Sequence, residues 1–352
     1  MSILHVSDNA CLIDHGLYLS RIYKTIVHEG MRLSYLLRPE LFYIIKDKNQ
    51  TTRKRSHDAG QSHEVSPTPG KRKLNYVFDD FVICKYNVEN QCVRDISKQL
   101  FESTVFEHNG MNGGNTSDVP IRCTIKMEDF LIPPKSRFFC GCVKEQCQKL
   151  DGVKFDIVIA DPPWWNKYIR RLKSANDKLG YTMMYNEDIA SIPVKGLQSE
   201  NCLVAVWCTN SPSNIAAVKD LIFPSWGVEY LTTWYWLKVT VDLEPMCDFA
   251  SGCKKQPYER LILGKVGTLK CIPDTRLFMS IPSALHSHKP PILDLLSPYV
   301  AENAQTLELF ARYLLPNTTS VGYEPLKWQH LSLYENNKTK PSTDMENAQI
   351  QL

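Results

Sequence analysis

Apolar residues in this chain gather into short, nearly unbroken runs separated by polar and Gly- or Pro-rich text. Five runs, FDIVIA (Phe155–Ala160), CLVAVWC (Cys202–Cys208), VEYLTTWYWLKV (Val228–Val239), RLILG (Arg260–Gly264) and TLELF (Thr306–Phe310), have the length and the β-branched or aromatic content of strands buried on both faces. Between the second and third the period changes. In SPSNIAAVKDLIF, Ser211 can cap a helix with Pro212 at its first position, and Ile215, Val218 and Ile222 fall at helical spacing. A shorter helix is predicted around Pro291–Leu296. Strands alternating with helices give an α/β fold, a sheet covered by helices on both faces.

The same pattern divides the chain. Residues 1–45 are apolar and aromatic enough to fold, against the rest of the protein if not alone. Residues 46–73 are polar, charged and without aliphatic periodicity, which reads as a disordered linker. An intermediate region, 74–118, is foldable at first and ends in GMNGGNTSD (Gly110–Asp118), read as a flexible break. The main domain is placed at 119–334 and a disordered tail at 335–352. No internal repeat is present.

Composition adds exclusions. With 43% apolar and 22% charged residues, wholesale disorder and collagen-like repetition are out. No apolar run reaches the ~18 residues of a membrane-spanning helix, and the N-terminal text does not read as a secretory signal. The twelve cysteines lie mostly in apolar text, which suggests reduced, buried thiols. Cys140, Cys142 and Cys147 form the one tight group, short of the four ligands of a structural zinc site, so no metal is expected. The net charge of +3 names no partner, but its distribution does more. The linker carries +5, in two basic clusters (Arg53–Arg55 and Lys71–Lys73) that read either as a bipartite nuclear-import signal or as a solvated loop. The first reading implies the nucleus; the second leaves the cytoplasm open.

The chemistry concentrates at Asp161-Pro162-Pro163-Trp164, directly after FDIVIA. In an α/β sheet, ligands bind beyond the carboxyl ends of strands, so the position is informative. Asp161 supplies an acceptor-only carboxylate, the prolines stiffen the chain and leave carbonyls without a ladder role, and Trp164 offers a flat face for stacking. These groups suit a planar base with an exocyclic amine. Acceptors aimed at both amine hydrogens favour pyramidal nitrogen and the charge that develops on it during alkylation. The string alone is equally an ordinary turn.

Further text carries a resemblance. LIPPKS, FDIVIADPPWWNK, LGYTMM, NCLVAVW, Thr209-Asn210, PSWGVE, WYWLKV, KKQPYERLILG and SHKPP occur in this order. Together they resemble the adenine-N6 methyltransferases typified by the catalytic subunit of the messenger-RNA methyltransferase, the MT-A70-like family, over roughly Leu131 to Tyr334. The resemblance implies a Rossmann-like domain using S-adenosylmethionine, with the acceptor motif preceding the main cofactor segment. It implies that Asp161, Pro162, Pro163 and Trp164 form the catalytic acceptor site. Asp161, His288, Lys289, Arg312, Gly322, Tyr323 and Glu324, with main-chain contacts from Val143, are then the cofactor site. Two positions depart from the family's pattern: Tyr323 stands where Asn is usual, and Cys142 where an acidic residue is common.

The stretch Trp165–Lys178 carries +4, through Lys167, Arg170, Arg171, Lys173 and Lys178 against Asp177. Beside an amine-binding motif such a loop can hold phosphates; its bland alternative is a solvated surface. Tyr181 matches a family aromatic near the acceptor adenine and is otherwise a core tyrosine. Lys238, Lys254, Lys255 and Glu259 lie in segments that the resemblance turns toward the substrate. The expected function is N6 methylation of adenosine or 2′-O-methyladenosine in RNA, small nuclear RNA such as U2 above all, by a monomer. The alternatives are adenine methylation in DNA, a catalytically silent RNA-binding scaffold and, more weakly, cytosine-N4 methylation.

Overall fold

The computed structural model describes residues 2–7, 10–42, 108–165, 183–249, 256–285 and 288–336. Eleven strands form one sheet: β1 (Ile3–Val6), β2 (Ala10–Ile13), β3 (Asn112–Asn115), β4 (Ser136–Cys140), β5 (Phe155–Ala160), β6 (Gln198–Cys208), β7 (Glu229–Lys238), β8 (Tyr258–Val266), β9 (Leu277–Ser280), β10 (Thr306–Leu309) and β11 (Thr318–Gly322). Their spatial order is β1-β2-β9-β7-β8-β6-β5-β10-β11-β4-β3. Strands β6, β5, β10, β11 and β4 run parallel as neighbours, and β8 is antiparallel to both β6 and β7. This large mixed sheet is a Rossmann-like α/β arrangement, as the alternation of apolar runs predicts.

The five runs become strands because both faces are covered. Val158, Ala160, Val204, Val206, Leu307 and Leu309 point to one side. They pack there against a helix that begins as Pro212–Ala217, widens into a π turn over Val218–Ile222 and ends as Phe223–Trp226. Ser211 stands at its N-cap and Pro212 in its first turn, though the Ser211 hydroxyl pairs with that of Ser213 (2.8 Å) and not with the helix backbone. Ile157, Ile159, Leu203, Ala205, Trp207 and Trp236 point to the other side, covered by the short helix Leu293–Leu296. Burial of these large side chains is worth about 1.5–3 kcal/mol each and dominates the stability of the layers.

Residues 2–42 are integrated into this body. β2 pairs with β9 at the sheet edge, and the helix His15–Ile22, capped by Asp14, turns Leu19 into a third core with Tyr23, Leu131, Trp328 and Tyr334. Tyr35–Leu37 pairs antiparallel with Tyr334–Asn336. Two expectations are corrected. The stretch 110–118 is not simply a break, because Asn112–Asn115 pairs with β4; glycines there let its backbone lie against Ser136 and Phe138. The fold also continues past 334, since Glu335 and Asn336 complete a strand. Residues 46–73 and the rest of the tail lie outside the described residues. Among the described residues no helix is long and apolar enough to cross a membrane. Cys140 and Cys147 are buried, which pushes both thiols up to about 12.

Candidate active site

Four parallel strands end side by side at one rim of the sheet. β4 leads through Gly141 and Cys142 into the helix Val143–Gln148, β5 leads to Asp161, β10 to Arg312, and β11 to Tyr323 and Glu324. Gly141 donates its N–H to the Gly322 carbonyl (2.8 Å) from a φ of 146°, a conformation that favours glycine. Gly322 is needed for space: a Cβ there would lie 3.1 Å from both the N and the O of Ala311. Phe310, between β10 and that backbone, takes φ 62°, unusual for a bulky residue and a sign of a constrained turn.

The acceptor motif is fastened at every residue. Asp161 donates its N–H to the Leu309 carbonyl (3.2 Å), which extends the β5–β10 pairing by one step. The Pro162 carbonyl accepts from Trp164 N–H (2.8 Å) and the Pro163 carbonyl from Met184 N–H (2.9 Å). Each carbonyl keeps a second lone pair. The indole N–H of Trp164 donates to the Trp207 carbonyl (3.0 Å), and the residue is only 6% exposed. The expectation that Trp164 offers an open stacking face is therefore corrected: the ring is packed in the core, where it pins the motif to β6.

Lys289 connects the carboxylates. Its Nζ lies 3.2 Å from Asp161 Oδ1 and 3.0 Å from Glu259 Oε2, while Lys238 bonds the other Glu259 oxygen. Burial opposes the Lys289 charge, but Asp161 and Glu259 outweigh it and hold its pKa above the ordinary value. For Asp161 burial wins and its carboxyl is raised, only partly offset by Lys289 and Arg312. Burial also opposes the Glu259 charge, yet the two lysines lower its carboxyl to about 2. The two carboxylates differ because Glu259 has two close cations, whereas Asp161 shares one and lies within the field of Glu259. A buried triad of this kind is strongly coupled and costly to desolvate, which fits a site better than a scaffold.

The other predicted residues separate into groups. Arg312 and Lys327 both pair with Glu324, at 3.2 and 2.7 Å. Tyr323 is 54% exposed, and Val143 is buried at the start of its helix. The two departures from the family's pattern lie near each other: the Tyr323 hydroxyl is pushed up by partial burial and then by Cys142. His288 is placed inside the protein at 3% exposure, its ring 4.2 Å from that of His15 and 4.7 Å from that of Tyr313. Burial, and then the charges around it, keep His288 neutral. Lys167, Arg170, Arg171, Lys173, Tyr181 and Lys255 lie outside the described residues.

Sequence reasoning missed Glu308 and His15. Glu308 is 8% exposed on β10, its Oε2 has no hydrogen-bond partner, and burial followed by the Asp161 charge raises its carboxyl to about 8. The signal was present, a lone carboxylate in the apolar run TLELF. His15 carries no such local signal, since it reaches the region through chain folding over 270 residues away in sequence from His288, a separation no periodicity reports.

The sheet and its rim define an α/β fold with a candidate ligand site at the carboxyl ends of parallel strands. Residues 155–324 match the family model MT-A70. The chain belongs to the MT-A70-like family. It is 34% identical over 253 residues to N(6)-adenine-specific methyltransferase METTL4 of Mus musculus, covering 68% of this chain and 50% of that one. It is 38% identical over 215 residues to a DNA N6-methyl methyltransferase of Caenorhabditis elegans (59% and 56%). It is 30% identical over 229 residues to N6-methyladenosine RNA methyltransferase MTA1 of Pyricularia oryzae (60% and 59%). The chain spans about half the length of the METTL4 proteins it matches. MT-A70 methyltransferases use S-adenosylmethionine as donor. The residues present fit that molecule: its sulfonium and ammonium charges call for an anionic acceptor, and the rim offers the Asp161 carboxylate.

Proposed function

We propose that this chain methylates the N6 amine of adenosine, or of 2′-O-methyladenosine, in RNA. Small nuclear RNA such as U2 is the substrate class, the nucleus the place of action, and the monomer the working form. The observation that carries the reading is the Asp161 carboxylate at the end of β5, held by Lys289 beside the carbonyls of Pro162 and Pro163.

Bound S-adenosylmethionine supplies an electrophilic methyl group. The chain's part is to prepare the amine. An ionised carboxylate has about four acceptor positions, and Lys289 occupies one at Asp161 Oδ1, so Asp161 can still take an amine hydrogen. A second amine hydrogen is offered to a proline carbonyl through its remaining lone pair. As positive charge grows on nitrogen, the raised pKa of Asp161 suits it to receive the proton that the methylated amine must release. Lys289 keeps the carboxylate ionised until then and, with Glu259, stays charged whichever way that proton moves. His288 and Tyr313 serve from behind, the Tyr313 hydroxyl donating to the Lys289 carbonyl (3.0 Å) and so fixing the backbone that carries the lysine.

In this reading the +4 stretch at Lys167, Arg170, Arg171 and Lys173, with Lys238, Lys255 and Tyr181, grips the strand. An adenine within paired nucleic acid must first leave its stack to reach Asp161. The relative named for RNA supports this substrate, while the C. elegans relative named for DNA supports the second reading, adenine methylation in DNA. Matched RNA and DNA oligonucleotides with labelled donor, followed by nucleoside analysis, test both. Faster transfer to RNA, yielding N6-methyladenosine, is expected. Faster DNA turnover overturns the RNA preference, and a protein that neither binds the donor nor transfers methyl is a scaffold.

A further inference from the structure

Two aromatic rings stand at the mouth of the acceptor motif without a part in the chemistry above. Trp165 follows the motif directly, and Tyr185 lies beside it with ring centroids 6.3 Å apart and planes only 17° from parallel. Tyr185 is 60% exposed, a large share for an aromatic ring that a core would otherwise use, and Trp165 is half-buried. Neither position drifts freely. Met184 N–H donates to the Pro163 carbonyl (2.9 Å), Trp164 and Met184 form a parallel bridge, and the Asp188 carboxylate accepts from Tyr185 N–H (3.3 Å) at the start of the helix Asn186–Ala190. The ring pair is thus mounted on the backbone that presents Asp161.

We infer that Trp165 and Tyr185 form a stacking shelf for the nucleobase next to the target adenosine. The inference rests on the reading above that a nucleic acid is the acceptor. When the target base leaves its stack to reach Asp161, its neighbour loses a stacking face, and a flat aromatic surface close by replaces it. The neighbour stacks on the outer face of Tyr185. Insertion between the rings would need roughly 7 Å, twice the ~3.5 Å contact distance, more than the pair offers. Stacking is tolerant of base identity, so the shelf selects for an unpaired neighbour more than for a sequence. It also complements the motif itself, since the buried Trp164 has no face to give.

The test uses the full chain with S-adenosylmethionine and short single strands containing one adenosine, in ribose and deoxyribose forms, with and without an abasic site on either side of it. Tyr185→Ala is expected to raise KM and weaken equilibrium binding of the labelled strand about tenfold, with kcat at saturation and donor affinity unchanged. Tyr185→Phe, which keeps the ring, is expected to restore wild-type values. Removing the neighbouring base on one side is expected to weaken wild-type binding by the same factor and to leave Tyr185→Ala unaffected. Losses that multiply overturn the shelf, as does an unchanged KM in Tyr185→Ala or a loss of kcat that Tyr185→Phe fails to rescue. The binding arm still reads the shelf if wild type methylates neither strand, so failure of the proposed activity is distinguished from failure of the stack. Whichever sugar shows the larger Tyr185 effect identifies the strand the shelf serves.

Discussion

Gln329 and Asp161 are both buried polar groups, but their surroundings differ in kind. Gln329, fully buried, donates both amide hydrogens, to the Tyr23 hydroxyl (2.5 Å) and the Leu131 carbonyl (2.6 Å), and accepts the Leu314 N–H (3.0 Å). Every member of that network is neutral. Around Asp161 the groups are charged, two carboxylates share one lysine, and Glu308 and His288 keep polar atoms without partners. A satisfied neutral network specifies how segments pack and needs nothing further. Crowded buried charges are costly to keep and are found where function requires them, and that contrast separates the joint of this fold from its candidate site.

The largest expected effect breaks the charged centre. Asp161→Ala is expected to lower methyl transfer about 10²–10³-fold, as losing one oriented acceptor does elsewhere, while leaving the unfolding transition in place. Retained activity would remove Asp161 from the chemistry. Next comes the neutral centre. Gln329→Leu strands the Leu314 N–H and takes a partner from both Tyr23 and the Leu131 carbonyl, an expected loss of about 3 kcal/mol by denaturant unfolding. Turnover per folded molecule is expected to hold. A variant as stable as wild type would show that the network is decoration.

The contrast is legible only in part from sequence. Strands such as FDIVIA and CLVAVWC announce themselves because burial on both faces removes alternation. The motif at Asp161 was legible because a carboxylate followed a buried strand. Asn112–Asn115 was not, since Asn and Gly are turn residues whose strand role depends on β4 alongside. The triad is long-range: Asp161, Glu259 and Lys289 come from three distant segments, and only folding sets their spacing. The fate of the Trp164 face was also invisible, because an indole next to a carboxylate reads the same whether it points out or in.

Smaller effects sharpen the picture. Glu308 in the folded state titrates near 8, above its ordinary 4.5, so folding binds a proton there. Its stabilising contribution is complete below about 4.5 and is lost as pH rises toward 8, at a slope of up to about 1.4 kcal/mol per pH unit. Glu259 has the opposite sign: its contribution holds above 4.5 and is lost as pH falls toward 2. Glu308→Gln is therefore expected to gain stability relative to wild type between pH 5 and 8. Parallel stability curves across that range would deny the buried proton. The smallest expected change is at Tyr323, where Tyr323→Asn is expected to shift donor affinity only a few-fold by calorimetry, because the side chain is 54% exposed at the end of its strand. A hundredfold change would place Tyr323 at the heart of the site.

The pairing of Tyr35–Leu37 with Tyr334–Asn336 has a consequence for how the molecule can be taken apart. The N-terminal segment up to residue 42 is held by that ladder, by β2 against β9 and by Leu19 and Tyr23 in their core, so it has non-covalent anchors of its own. Produced as separate pieces, the segment 2–42 and the rest of the chain are expected to associate on mixing and co-elute, with His15 returning beside His288 only when both are present.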